Sequence, residues 1–207
     1  MKHDTTIRMF GRSMRATRAE ATASLPGDGL IAHPLASLTH AITIRRPPHG
    51  VWPWLVQMGA GSRAGWYSYN LLDNGRRPSA IRVVRELQSL SVVMVFRALP
   101  GRTDGFTLLA LERDHFLVLG WLRPDGTPLM TWAFVLEAAD DGWTRLIVRA
   151  RGEPGCHFHH LPWWLAKHIV PAMHFIMQRK QLLGIAARAE LGPWPNAITC
   201  ASPRRPT

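Results

Sequence analysis

The chain has 207 residues, 46% of them hydrophobic, with nine Trp and a formal net charge of +11. This length suits one domain with a core large enough to stand alone. The two cysteines, Cys156 and Cys200, form neither a CxxC motif nor a disulfide framework, so a reducing cytoplasm is the default compartment. The charge invites nucleic acid or an anionic membrane. However, the Arg residues are scattered, no run of five basic residues occurs and there is no zinc-finger or RNP1 signature, which argues against nucleic acid.

Residues 1–36 read as a poorly ordered basic arm. Lys2, Arg8, Arg12, Arg15 and Arg18 lie there without the apolar stretch of a secretory signal, and LPGDGL at 25–30 is a turn cluster. Thr39 to Arg45 alternates and is rich in β-branched residues, which predicts a strand. His49 to Met58 predicts a short helix with Val51, Leu55 and Met58 on one side, and Trp66 to Leu72 a second one after a Gly-rich loop. Ile81 to Leu87, Ser91 to Ala98, Phe106 to Glu112, Phe116 to Leu122, Leu129 to Glu137 and Thr144 to Arg151 read as strands. Turns at Arg113-Asp114, Pro124-Asp125-Gly126 and Asp140-Asp141-Gly142 join the last four. Pro171 to Glu190 predicts the longest helix, with Met173, Ile176, Leu183 and Ala187 on its apolar side and Gly192-Pro193 as its stop. Pro171 suits a first helical position, so Trp163 to Val170 reads as a separate short helix or a kinked lead-in. Lys167, His168 and Pro171 interrupt the apolar stretch 161–177 and make it a poor spanning helix. Hairpin-joined strands followed by one long helix argue for an α+β fold in which a sheet carries that helix. The domain spans 37–192, with a tail at 193–207.

Local sequence adds to this order. LPGDGLI at 25–31, ITIRRPPHGVWPWLVQMG at 42–59, GWYSYNLLDN at 65–74, TWAFVLEAADDGWTRLIVRAR at 131–151 and HFIMQRKQLLGIAARAE at 174–190 together resemble a bacterial subgroup of the SRPBCC superfamily (START-like, Bet v 1-like, polyketide cyclase/dehydrase-like). The segment 75–97 departs from that likeness, with Arg76, Arg77, Arg82, Arg85 and SVVMVF. The resemblance implies a helix-grip fold, a curved antiparallel sheet wrapped around the C-terminal helix with a cavity between them. It also implies a hydrophobic ligand there, such as a lipid, sterol or polyketide-like molecule, or in some members cyclase or dehydrase activity.

The candidate cavity residues are Trp54, Trp66, Tyr67, Tyr69, Trp132, Phe134, Arg149, Met173, His174 and Met177. The aromatic ones offer ring faces and two phenols, although any single one is more ordinarily core. Arg145, Arg149 and Arg151 share one strand face, with Glu137 as a partner across the hairpin. On the cavity side one of them would anchor a carboxylate or enolate, and on the outer side they would be solvated, which is the commoner fate of Arg. The cluster Cys156, His157, His159 and His160 lacks a recognised zinc spacing, so no metal is expected. Ser68, His174 and Asp73 form no motif-backed triad, since a GxSxG elbow is absent. GAGSRAG at 59–65 follows no strand and is not a dinucleotide fingerprint, so no cofactor is implied. Trp163-Trp164 beside Lys167 suits a membrane surface as well as a packed lead-in, and keeps peripheral membrane contact open. Nothing in the sequence fixes an oligomeric state. Together these features point to a protein that binds a hydrophobic small molecule, ahead of a cyclase/dehydrase-type enzyme and a membrane-surface or partner-binding protein.

Overall fold

Alternating apolar and β-branched residues form six strands: β1 (Ala36–Ile44), β2 (Val95–Arg97), β3 (Gly105–Glu112), β4 (Phe116–Leu122), β5 (Pro128–Ala139) and β6 (Trp143–Gly152). The computed structural model describes residues 13–153 and 163–191, with the side chains of the last helix described from Ala172 onward. The strands make one antiparallel sheet in the order β1-β6-β5-β4-β3-β2. Hairpins join β2 through β6, and β1 closes against β6. The register of β3 on β4 shifts between Leu108 and Ala110, leaving Leu109 as an extra residue. Gly120 lies where any Cβ would strike the Leu109 side chain. A bulge of this kind bends the strand and curves the sheet.

Among the described residues, four helices accompany the sheet: α1 (Arg18–Thr22), α2 (Pro48–Val56), α3 (Asn70–Asp73) and α4 (Trp163–Leu191). Pro47 and Pro48 start α2, where a missing N–H costs nothing. The concave face carries Ile42, Ile44, Leu108, Leu117, Leu119, Phe134, Leu136, Leu146 and Val148. These pack against Val51, Leu55 and Met58 around α2 and against Leu182, Leu183, Ile185, Ala186 and Ala189 of α4. α4 runs along β1. His174 meets His40 near its described start, and Arg46 Nε donates to the Ala189 carbonyl at 2.8 Å near its end. Among the described residues, no helix is long and apolar enough to cross a membrane.

The convex face is also covered. Leu25 and Ala16 pack on Ala41, Val135 and Ile147. The part of the arm from Met14 to Ile31 therefore lies on the sheet, with α1 closed by a Thr17–Glu20 capping box.

Several sequence expectations are corrected. The second short helix begins at Asn70 rather than Trp66, because Tyr67 sits at φ 59°, where a right-handed helix cannot pass. Ile81 to Leu87 is not a strand; it holds one 3-10 turn at Arg85–Leu87, with Ile81 exposed. Ser91 to Ala98 pairs only over Val95–Arg97, since Val93 at φ 69° breaks the extension and only Phe96 is buried. Of the two readings of Trp163 to Val170, the separate short helix is excluded, since one helix runs from Trp163 through Pro171 to Leu191.

Candidate functional site

The concave face becomes an aromatic wall toward β3–β5. Phe106, Trp121, Trp132 and Phe134 project from the sheet, and Trp66 reaches them from the loop before α3. Trp66 stacks on Trp132 with centroids 5.6 Å apart. Phe106 lies 5.3 Å from Trp132 and 5.4 Å from Trp121, and Trp132 lies 5.0 Å from Phe134. Trp66 and Phe134 are buried, whereas Phe106, Trp121 and Trp132 stay partly exposed. The indole N–H of Trp66 donates to the Ala98 carbonyl at 3.2 Å.

Opposite this wall, α4 presents a polar stripe. His174, Gln178 and Gln181 follow the i, i+4, i+7 spacing that stacks side chains on one face. Trp132 Nε1 donates to Gln178 Oε1 at 3.0 Å, Gln178 Nε2 donates to Gln181 Oε1 at 2.9 Å, and Gln181 Nε2 contacts Met58 Sδ at 3.7 Å. Both glutamines are buried, and this chain of bonds is what makes their burial tolerable.

Tyr67 sits behind the wall. Trp54 meets it edge-on at 6.1 Å, Gln57 Nε2 donates to its hydroxyl at 2.8 Å, and the Arg188 guanidinium lies 4.7 Å above its ring. Burial pushes the Tyr67 phenol well up from its ordinary value, against the pull of Gln57, Arg188 and Arg63. Ser68 Oγ donates to the Met177 carbonyl at 3.2 Å. Asp73 is 5% exposed, neither of its carboxylate oxygens has a hydrogen-bond partner among the described residues, and burial raises it to about 6. His174 stacks on His40 at 5.7 Å. Burial, with the charge of His40 adding to it, pushes His174 down to about 4.

Arg149 apart, the predicted residues divide into three groups. Trp66, Trp132 and Phe134 come together, with Trp54 and Tyr67 next to them. His174 and Met177 lie on the described start of α4. Tyr69 and Met173 point outward, 40% and 42% exposed. The apolar side read for the long helix is rotated from the buried one, since Ile176 is 52% exposed while Gln178 and Gln181 face inward. The stripe turns inward because the glutamines satisfy each other and Trp132.

Arg149 lies on the convex face, away from α4, where its guanidinium bonds Thr39 Oγ1, Asp28 Oδ2 and the carbonyls of Glu20, Ala21 and Ala23. Arg145 pairs with Glu20 at 2.6 Å rather than with Glu137, which is exposed although opposite it in register. Neither the cavity nor the solvated alternative describes these arginines, because the arm covers them. Ser68 bonds a backbone carbonyl and His174 stacks on His40, so the described hydrogen bonds join no Ser68–His174 pair. Cys156, His157, His159 and His160 lie outside the described residues, as do the side chains of Trp163, Trp164, Lys167 and His168. Sequence reading missed His40, Gln178, Gln181, Phe106 and Trp121. The i, i+4, i+7 spacing of His174, Gln178 and Gln181 was the available signal.

An antiparallel curved sheet, short helices after its first strand and a long C-terminal helix define a helix-grip architecture, the fold that the sequence resemblance implied. No family model matches the chain, and no curated protein matches it. Solved structures similar to it include a Polyketide_cyc-like protein, Cgl2372 from Corynebacterium glutamicum (17% identity, 75% of this chain and 89% of that chain, TM-score 0.38). Others are the protein of unknown function EF2215 from Enterococcus faecalis (11%, 90% and 81%, 0.44) and Aha1 from Colwellia psychrerythraea (14%, 73% and 98%, 0.35).

Proposed function

We propose that the chain binds a hydrophobic small molecule of the lipid, sterol or polyketide-like class between the concave face of the sheet and α4. The carrying observation is the partial exposure of Phe106, Trp121 and Trp132 on the sheet face that otherwise forms the core. Three large rings left incompletely covered on an inward face make an apolar wall suited to a ligand. The indole N–H groups of Trp66 and Trp132 already have protein acceptors, which leaves ring faces for contact. An acid–base catalyst is less well supported. Tyr67 is hydrogen-bonded and held neutral by burial, and Arg149 is on the opposite face. The test is native mass spectrometry of the protein purified from its own cells, followed by titration with lipids, sterols and aromatic polyketides. A stoichiometric apolar ligand, with binding weakened by Trp132→Ala, is the expected result. An empty protein that binds none of the panel would overturn the proposal.

A further inference from the structure

Two imidazoles meet where α4 lies on β1. The rings of His40 and His174 stack with centroids 5.7 Å apart and planes 25° apart, and Phe175 packs on His40 at 5.6 Å. His40 Nε2 and His174 Nδ1 are both shut off from solvent, and neither has a hydrogen-bond partner among the described residues. Buried polar atoms are nearly always paired, so two orphans on adjacent rings mark a position where a partner is missing. Elsewhere on the same stripe the Gln178 and Gln181 amides are engaged with Trp132, with each other and with Met58. The histidine pair is the unfilled position of the stripe.

The surroundings select the chemistry of the partner. On β1, Thr39 and Ala41 point to the other face, and Arg15 meets His40 through a backbone bridge. Val148 of β6 lies opposite His40. On α4 the next residues on the inward side are Met177 and Gln178. Among the described residues no carboxylate acts on either ring: burial lowers both, and the charge that acts on His174 is that of His40. A carboxylate ligand would require one of these rings to take a proton against that burial. A ketone or ether only accepts and would leave one nitrogen unpaired. Zinc takes three or four protein ligands, and two imidazoles fall short of that. A hydroxyl both donates and accepts, and neutral imidazole offers one of each through its choice of tautomer.

We propose that His40 and His174 form the polar end of the ligand site and hold a neutral hydroxyl of an otherwise apolar molecule, the hydroxyl donating to one ring and accepting from the other. This rests on the small-molecule function proposed above and narrows its ligand to an uncharged alcohol or phenol.

Calorimetric titration at pH 7.5 with 2-naphthol, 2-methoxynaphthalene and 2-naphthoate tests it, because the three differ in the polar group on one ring system. The expected result is 2-naphthol binding at least tenfold tighter than the other two. His40→Phe and His174→Phe should each erase that preference while keeping the affinity for 2-methoxynaphthalene. Imidazole 15N resonances of the unaltered protein provide a readout that does not depend on how the variants fold, and 2-naphthol should shift both residues. Equal binding of the three probes, a preference that survives both substitutions, tighter binding of 2-naphthoate or unmoved 15N resonances would overturn the assignment and leave the small-molecule function standing. If no probe binds and the wider panel of lipids, sterols and polyketides also fails, both proposals fall.

Discussion

Arg149 donates to Asp28 at 2.6 Å, and through that contact a buried guanidinium on the sheet holds a segment more than a hundred residues earlier in the chain. Arg149 is 4% exposed and also donates to the carbonyls of Glu20, Ala21 and Ala23, which end α1. A cation at a helix C-terminus meets both the unpaired carbonyls and the dipole. Burial opposes ionisation of Asp28, but the Leu25 N–H, Arg151 and Arg149 together hold its carboxyl below the usual value.

Arg149→Met should therefore destabilise the fold by about 3 kcal/mol, because it leaves the carbonyls that end α1 without their donor and takes from Asp28 one of its two arginine partners. Arg149→Lys should recover little, since a single ammonium cannot reproduce the planar fork that reaches five acceptors. Urea unfolding gives the loss, and amide exchange should show residues 17–31 losing protection before the strands do. Unchanged protection in that segment would mean that Leu25 and Ala16 alone hold the arm.

This contact also marks the boundary of what local sequence can say. Met14 to Ile31 is rich in turn and charged residues, and it looks like an arm because its partners lie far along the chain, on β1, β5 and β6. Thr17–Glu20 is a capping box visible in the sequence, but a five-residue helix is stable only on something. Strands β3 to β6 were legible because turn residues bracket alternating or continuous apolar runs. SVVMVF was misleading for the opposite reason: strongly apolar residues need not pair where a sheet ends, and Val92 and Val93 are exposed. The aromatic wall was half legible, since Trp66, Trp132 and Phe134 were identified. The inward face of α4 was not, because hydrophobicity ranks Met173 and Ile176 above Gln178 and Gln181, and only tertiary hydrogen bonds reverse that order.

Gln178 links Trp132 to Gln181, so Gln178→Leu should cost about 1–3 kcal/mol despite adding apolar surface. The substitution strands the indole N–H and the Gln181 carbonyl oxygen. Adding Trp132→Phe removes one of those orphans, so the double variant should lose less than the sum of the two single losses. A double-mutant cycle measured by urea unfolding reads this coupling directly. Strict additivity would show that Trp132 reaches another acceptor.

Gly184 faces Tyr67 so closely that a Cβ would overlap the Tyr67 carbonyl oxygen. In an isolated helix, Gly→Ala is favourable by about 1 kcal/mol. Here Gly184→Ala should instead destabilise by about 1–3 kcal/mol, because α4 must move off the loop or Tyr67 must leave its φ of 59°. Near-UV circular dichroism should change as well, since Trp66 is the next residue. A stabilised variant would show that the loop gives way freely.

Asp73 and His174 should make stability respond to pH in opposite senses. Unfolded, Asp73 gains its proton near 3.8; folded, burial raises that to about 6. Folding therefore takes up a proton between these values, and its contribution to stability grows as pH falls through 6. Unfolded, His174 is protonated below about 6.5; folded, it stays neutral to about 4. Its contribution is fully present above 6.5 and is lost as pH falls toward 4, and His40, also lowered by burial, adds in the same direction. Between pH 7.5 and 5.0 the effects of Asp73 and His174 oppose each other, each on the order of 1 kcal/mol after allowance for solvent screening. Glu20 and Asp28, both held below their ordinary carboxylate values, stay ionised over that range. Asp73→Asn should raise stability at pH 7.5 and make it fall more steeply on acidification. His174→Phe should make the protein gain stability, relative to wild type, as pH drops to 5.0. Urea midpoints of the three proteins at the two pH values decide it, and parallel behaviour of both variants with wild type would mean that neither group keeps its buried environment in solution.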